Sequence, residues 1–335
     1  MNNQIRDNLI SVIREKSPLN VNLTTYLCDT LNIGKESAYR RIRGEINFTF
    51  DEIATLSQNL NFSVDNIIGS KQGENALFNI HLLQKMDYFD IYVSKMLEYG
   101  RMFRESSEQM ETKARMSIGT LPYFFYVDYM SLSKFRIYKW MNQHQKIEPN
   151  EKYVDFVLPE KILNAHKVFH QDIQKIQSVT VIMNNNVFWS VIKDIEYFYK
   201  RGLLSDEDIQ ALKKDLHKLL NTIEQMATTG KNNSGSKTDL YITPIDMEAS
   251  YLHFEYGAKQ FSQIRIFAIS AIDSFDIGLC KIQKEWIESL KRYSVLISES
   301  GEVQRFEYIN KQREYIDNIN GQTIRTDRHT AAYHL

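Results

Sequence analysis

The sequence predicts a mainly α protein: a five-helix N-terminal bundle, a large helical domain, and a small antiparallel β-meander near the C-terminus. Three observations carry that expectation. Apolar residues recur at helical spacing near the N-terminus, as in Leu23, Leu27 and Leu31 or Phe50, Ile53, Leu56 and Leu60. Leu82, Met86, Phe89, Val93, Met96, Gly100 and Phe103 then alternate steps of four and three, a heptad-like run. After Thr238 the period changes to two, with Leu252, Phe254 and Tyr256 facing one way and Tyr251, His253 and Glu255 the other. A length of 335 residues suits two or three domains, and 43% hydrophobic with 12% aromatic residues suffices for a packed core. The expected divisions are 1–70, 74–229 and 236–319, followed by a disordered tail over 320–335 that has no apolar period.

The segment with a specific chemical purpose runs from Asn22 to Gly44. Leu23, Leu27 and Leu31 form one face of a short helix, with Thr24 and Thr25 near its start. Asn32-Ile33-Gly34 makes a tight corner, because Asn and Gly tolerate the left-handed backbone that a sharp turn requires. A second helix follows from about Lys35 to Arg43, with Gly44 as its cap. It offers Lys35, Ser37, Tyr39, Arg40, Arg41 and Arg43, four of them cations, against the single acid Glu36. A short, rigid, basic helix held at a fixed angle is what entry into a DNA major groove needs. Asp51 and Glu52 then open a further helix where the dipole favours acids. Val64, Ile67 and Ile68 close the bundle as a last short helix capped by Ser63.

Leu27, Cys28, Asp29, Thr30, Leu31, Asn32 and Ile33, with Arg43-Gly44 ending the second helix, carry a resemblance. The stretch from Asn3 to Ile68 resembles the Cro/repressor-like (XRE-type) class of helix-turn-helix domains, in the variant common in Bacteroidetes-type regulators with a long C-terminal domain. The resemblance implies a compact five-helix fold, sequence-specific binding of double-stranded DNA and a role in transcription regulation. Tyr39 and Arg40 are then expected at bases, Arg43 at the backbone, and Thr24 and Thr25 at phosphate, with Lys35, Ser37 and Arg41 completing the DNA-binding set. One position departs from the family's pattern. Three residues after Ala38 an apolar side chain is usual, but the chain has Arg41, and the apolar residue comes one later at Ile42. That leaves open which of Arg40, Arg41 and Arg43 reach bases and which reach phosphates.

Ser70-Lys71-Gln72-Gly73 is a polar, turn-rich linker, and a helix begins near Glu74 and runs to about Ser117. Pro122 resets the chain at the first turn of a new helix. From Tyr123 to Met141 the sequence is very aromatic, including Phe124, Tyr126, Tyr138 and Trp140, which suits either a core or a ligand pocket. Leu158 to Ile182 and Val187 to Tyr199 read as helices, and Ser205-Asp206-Glu207-Asp208 opens another that runs to about Met226. Thr228 to Thr238 reads as a flexible break, after which Leu240 and Ile242, then 251–256 and 264–269, supply three antiparallel strands. Helices over Ile277–Arg292 and Val303–Asn318 follow, joined through Ser298-Glu299-Ser300-Gly301.

Net charge is −1 overall, and the first 70 residues hold seven Lys/Arg against eight Asp/Glu, also −1. The DNA-binding signal is therefore local, and a single head would bind weakly. A homodimer is expected, with the helix from Leu82 to Phe103 as the first candidate for its contact. Cys28 and Cys280 read as reduced thiols, and no signal peptide or run of ~20 apolar residues is present, so a cytoplasmic protein without membrane contact is expected. His166 and His170 share a helical face, but no acid stands between them in a His-Glu-x-x-His arrangement, so they read as surface histidines rather than metal ligands. No phosphate loop or nucleophile elbow appears, so no enzyme and no cofactor are expected. Two functions follow. One is a DNA-binding regulator whose C-terminal region oligomerises or senses an unknown small molecule or peptide. The other is a non-enzymatic protein-interaction module whose N-terminal bundle does not bind DNA.

Overall fold

The computed structural model describes residues 3–18, 21–60, 62–68, 76, 78–80, 88–267 and 269–319. The chain divides into two compact units, Met1–Leu77 and Phe78–Leu335. The linker at Ser70–Gly73, the helix start near Glu74, the heptad positions Leu82 and Met86, and the tail from 320 lie outside the described residues.

The first unit holds α1 (Asn3–Lys16), α2 (Leu23–Leu31), α3 (Lys35–Arg43), α4 (Phe50–Leu60) and α5 (Val64–Ile68). Leu9 and Ile13 of α1, Leu27 of α2, Ala38 of α3, Leu56 of α4 and Ile67 of α5 meet in one core. The caps are written in the sequence. The Asn22 side chain accepts the Thr24 N–H at 2.8 Å and starts α2. Asn32 ends α2 in the left-handed region (φ 52°), whereas Gly34 is extended (φ −69°), so Asn32 alone makes the corner. Thr49 and Glu52 form a reciprocal capping box at the start of α4, with bonds of 3.2 and 2.9 Å. Phe50, read as the first core position of α4, is instead 77% exposed, and Phe48 before the cap is buried in its place.

The second unit overturns the mainly α expectation. It is an α/β architecture built on an eight-stranded mixed sheet in the order β1-β7-β6-β5-β2-β3-β4-β8. The strands are β1 (Asn79–Ile80), β2 (Thr112–Ile118), β3 (Ser178–Asn184), β4 (Lys237–Thr243), β5 (Tyr251–Tyr256), β6 (Lys259–Ile266), β7 (Ser270–Ser274) and β8 (Val295–Leu296). Central β2, β3 and β4 run parallel, while β5 pairs antiparallel with β2 and begins the meander β5-β6-β7. Leu240 and Ile242, read as a meander strand, belong instead to β4 beside β3.

The remaining helices are α6 (Tyr88–Gln109), α7 (Tyr123–Tyr126), α8 (Met130–Gln143), α9 (Glu160–Ile173), α10 (Val187–Lys200), α11 (Asp206–Thr229), α12 (Ile277–Leu290) and α13 (Glu302–Asp317). Two strands occupy stretches where the sequence predicts helix. β2 takes the end of the helix read from Glu74 to Ser117, and β3 the end of the one read from Leu158 to Ile182. Both sit between two neighbours in the sheet, so tertiary pairing decides their conformation. The break at Thr228–Thr238 is an ordered turn: Gly230 caps α11 with φ 64°, and the Asn232 side chain accepts the Ser234 and Ser236 N–H groups at 3.0 and 2.9 Å. β2 and β3 precede that turn and β4 to β8 follow it, so one sheet runs through both stretches.

Helices cover both faces of the sheet. Ala114, Met116 and Ile118 of β2, Val181 and Met183 of β3, and Leu240 and Ile242 of β4 join the main core with α6 and α8 to α11. On the opposite face, Ile182 of β3 packs with Ile287 and Leu290 of α12. The apolar stripe of α6 belongs to this core. Met96 and Phe103 are buried, and Gly100 lets α9 approach so closely that a Cβ there would lie 3.0 Å from Asp172 Oδ2. The described part of the heptad run, from Phe89 to Phe103, therefore packs within its own unit rather than offering a stripe to a second copy.

Candidate functional site

Ala38 and Arg41 define the inner side of α3. Arg41, the residue at the position where the resemblance expects an apolar side chain, is 9% exposed. Its Nε donates to Glu52 Oε2 at 3.0 Å, and its Nη2 donates to Oε1 at 2.7 Å. Its Nη1 donates to the Ser37 hydroxyl at 2.5 Å and to the Ser37 carbonyl at 3.3 Å. Burial pushes the Glu52 carboxyl up, but the bonds from Arg41 and Thr49 outweigh that and hold it below its ordinary value. The guanidinium thus fills an apolar position by bringing its own counter-charge.

That geometry sorts the sequence-derived DNA-binding set. Lys35, Tyr39, Arg40 and Arg43 are exposed on α3, and Thr25 is exposed on α2. Arg41 is turned inward, Ser37 is half-buried beneath it, and Thr24 is buried, so the structure does not bring these three onto the outer face. Glu45 is a participant that the sequence reading missed. After Gly44 the chain folds back, the Glu45 N–H donates to the Arg40 carbonyl at 2.8 Å, and the carboxylate lies 3.5 Å from both Arg40 Nε and Arg43 Nη1. All three side chains are exposed, so these pairs are weak and open to competition by another anion.

The second unit gathers polar groups at two further places. His166 of α9, read as a surface histidine, is 3% exposed. Its Nδ1 is 2.6 Å from Ser133 Oγ of α8, and its Nε2 is 2.9 Å from Tyr92 Oη of α6. Burial and then the Arg136 charge push its pKa down to about 4, so the ring is neutral at pH 7 and donates one of these bonds while accepting the other. A serine beside a histidine has the outline of an activated nucleophile. Ser133 is 1% exposed within helix packing, however, so the trio ties three helices together rather than meeting a substrate. His170, one turn on, pairs with Asp128 at 3.0 Å.

The second place is a cavity of about 120 Å³ beside α6, β2 and the β5-β6-β7 meander. A second cleft, of about 330 Å³, lies beyond the carboxyl ends of β2 and β3, the region where open α/β sheets take ligands. Arg136 and Arg265 line both. The aromatic run is divided between core and cavity: Phe124 lines the cavity and Tyr126 the cleft, whereas Tyr138 and Trp140 are closed into the core. Arg136 left one sequence signal, a cation between Leu132 and Trp140 at i, i+4 spacing in an otherwise buried stripe. Arg265 left none.

Comparisons with family models, with curated proteins and with solved structures found no match to this chain. Among the described residues, no helix is long and apolar enough to cross a membrane.

Proposed function

We propose that the first unit binds double-stranded DNA in a sequence-specific manner through α3, and that the protein is a transcription regulator whose second unit senses a ligand or joins subunits. The observation that supports this best is the sorting of α3. Arg41 is fixed inward on Glu52, so Lys35, Tyr39, Arg40 and Arg43 share the outer side of a short helix that starts at the extended Gly34 and ends at the left-handed Gly44. The resemblance of this segment to Cro/repressor-like domains points the same way. In this reading Tyr39 and Arg40 meet base edges, and Lys35, Arg43 and Thr25 meet phosphate. Glu45 yields Arg40 and Arg43 to the DNA. Few phosphates are neutralised by one head, so two copies on one duplex are proposed, and the proposed setting is the cytoplasm.

The test is selection of bound duplexes from random-sequence DNA by the full chain, repeated with Arg40→Ala. An enriched motif, with preference relaxed at one position in the variant at a cost of roughly 1–3 kcal/mol, supports the assignment. Failure to enrich any sequence would favour the alternative, a non-enzymatic protein-interaction module.

A further inference from the structure

We propose that the cavity beside α6 and the meander binds a small hydrophobic carboxylate, with its apolar body among Met96, Phe103, Met116 and Phe169 and its head group at Arg136 and Arg265. As an effector site this rests on reading the second unit as a sensing region; as a binding site it stands on its own geometry.

The walls set the body of the ligand. They are aliphatic and aromatic side chains from α6, β2 and α9, joined by Leu252 of β5. Such surfaces exchange water readily for a hydrocarbon group. The volume of about 120 Å³ sets its size. An apolar cavity of roughly 150 Å³ takes a benzene ring, so a body of about six carbons fits and a nucleotide or a long acyl chain does not.

The charges set the head. Lys95, Arg136 and Arg265 all line the cavity, and among the described residues no Asp or Glu lines it. Lys95 is answered from outside the wall by Glu98 at 2.7 Å. Asp273 stands behind the wall, where it accepts from Tyr99 and from Gln263 Nε2, the latter at 2.9 Å. Arg136 is the more enclosed cation: the residue is 8% exposed, and Tyr126 offers its ring face at 6.0 Å. A guanidinium set into an apolar wall is a fork-shaped donor in a low-dielectric setting, where a carboxylate is held more strongly than in water.

The route in is marked by the same two arginines, because they also line the cleft at the strand ends. Lys139 and Asp194 pair there at 2.5 Å, and Glu248 also lines the cleft, so the cleft itself is nearly balanced in charge. The anion is therefore expected at the boundary between cleft and cavity, with its tail inward. A cationic amphiphile of the same shape would set its charge against both arginines.

The experiment is calorimetric titration of the full chain with hexanoate, hexanol and hexylamine, followed by thermal unfolding with each. Hexanoate should bind saturably and raise the Tm, hexanol should bind roughly tenfold or more weakly, and hexylamine should give no saturable heat. Arg265→Gln should weaken hexanoate by roughly tenfold and leave hexanol unchanged. Ala271→Phe, which fills the cavity from β7, should abolish both, while unchanged circular dichroism shows that the variants fold. Equal affinity for hexanoate and hexanol, or no saturable binding of hexanoate at tens of millimolar, would overturn the proposal. Saturable hexanoate binding that leaves DNA affinity unaltered keeps the site and removes only its role as an effector site.

Discussion

Arg41 and Glu52 join α3 to α4 through two near-parallel hydrogen bonds, Nε to Oε2 at 3.0 Å and Nη2 to Oε1 at 2.7 Å, with side chains only 10% and 16% exposed. The pair also anchors a cap, since Glu52 accepts the Thr49 N–H at 2.9 Å. Removing one member leaves the other charge largely buried without its counter-ion. Arg41→Ala should therefore destabilise the first unit by about 2–4 kcal/mol, whereas Arg40→Ala on the exposed side should stay within about 0.5 kcal/mol. Amide hydrogen exchange at Leu27 and Leu56 reads this directly. Equal protection in both variants would contradict the inward role of Arg41.

Glu52 also gives the first unit an acid limit. Its carboxyl is held below the ordinary value of 4.5, so the unfolded chain takes up the proton first. The stabilisation is full above pH 4.5 and is lost as pH falls through the lowered value. Exchange measured from pH 6 to 3 should show wild type losing protection in the lower part of that range. Glu52→Gln should start less stable and show a flatter profile.

His166 acts in the second unit at milder pH. Its folded value of about 4 lies below the ordinary 6.5, so the unfolded chain binds the proton first as pH falls. Stability is full above pH 6.5 and declines between 6.5 and about 4, by on the order of 2–3 kcal/mol. His253, buried on the α12 face and also lowered by burial, adds to the same trend. Urea unfolding followed by tryptophan fluorescence at pH 7.5 and 5 should show the loss, and His166→Gln should reduce it. An unchanged pH dependence in the variant would exclude His166 as its source.

Gly44 is required by both conformation and space. It ends α3 with φ 78°, and a Cβ there would lie 2.0 Å from Arg6 Nη1. Gly44→Ala should cost about 1–2 kcal/mol from the left-handed backbone alone, plus the displacement of Arg6. Gly34, with no atom near its Cβ position and an ordinary φ of −69°, should accept alanine at little cost. Similar losses at both positions would contradict the assignment of the corner to Asn32.

Glu45 should restrain DNA binding. It sits 3.5 Å from Arg40 and from Arg43 and adds a negative charge where phosphates are proposed to lie. Glu45→Gln should tighten binding a few-fold at low salt, with the gain shrinking as salt rises. Weaker binding in this variant would assign Glu45 a contact of its own.

The first unit was largely legible because its instructions are local. Asn22, Asn32, Gly44 and the Thr49–Glu52 box each act within a few residues of themselves, and the leucine spacing of α2 survives packing unchanged. Arg41 was not legible as an inward residue, because its partner lies eleven positions on and no spacing rule joins them. The second unit was misread where local preference and long-range pairing disagree. β2 carries Lys113, Arg115 and Met116 directly after a helix, and only its place between β3 and β5 makes it a strand. Ala114, Met116 and Ile118 do alternate with Lys113, Arg115 and Ser117, but a period of two over so few residues, directly after a helix, is a weak signal. Arg115 in fact lies under α12, paired with Glu255 at 2.5 Å and Glu288 at 2.7 Å. The cavity could not be anticipated, since Arg136 and Arg265 come from separate elements that meet only in the folded sheet.

The central claim is that the outer side of α3 binds duplex DNA, and the salt dependence of affinity measures it most directly. Fluorescence anisotropy of the full chain on a selected duplex, at several salt concentrations, should be compared with the Arg40→Ala/Arg43→Ala variant after hydrogen exchange has shown the first unit to be folded. Affinity should fall by roughly tenfold or more, and the slope of log K against log salt should become shallower by about 1 for each phosphate contact removed. Unchanged affinity and slope in the folded variant would contradict the account and leave α3 without a role in DNA binding.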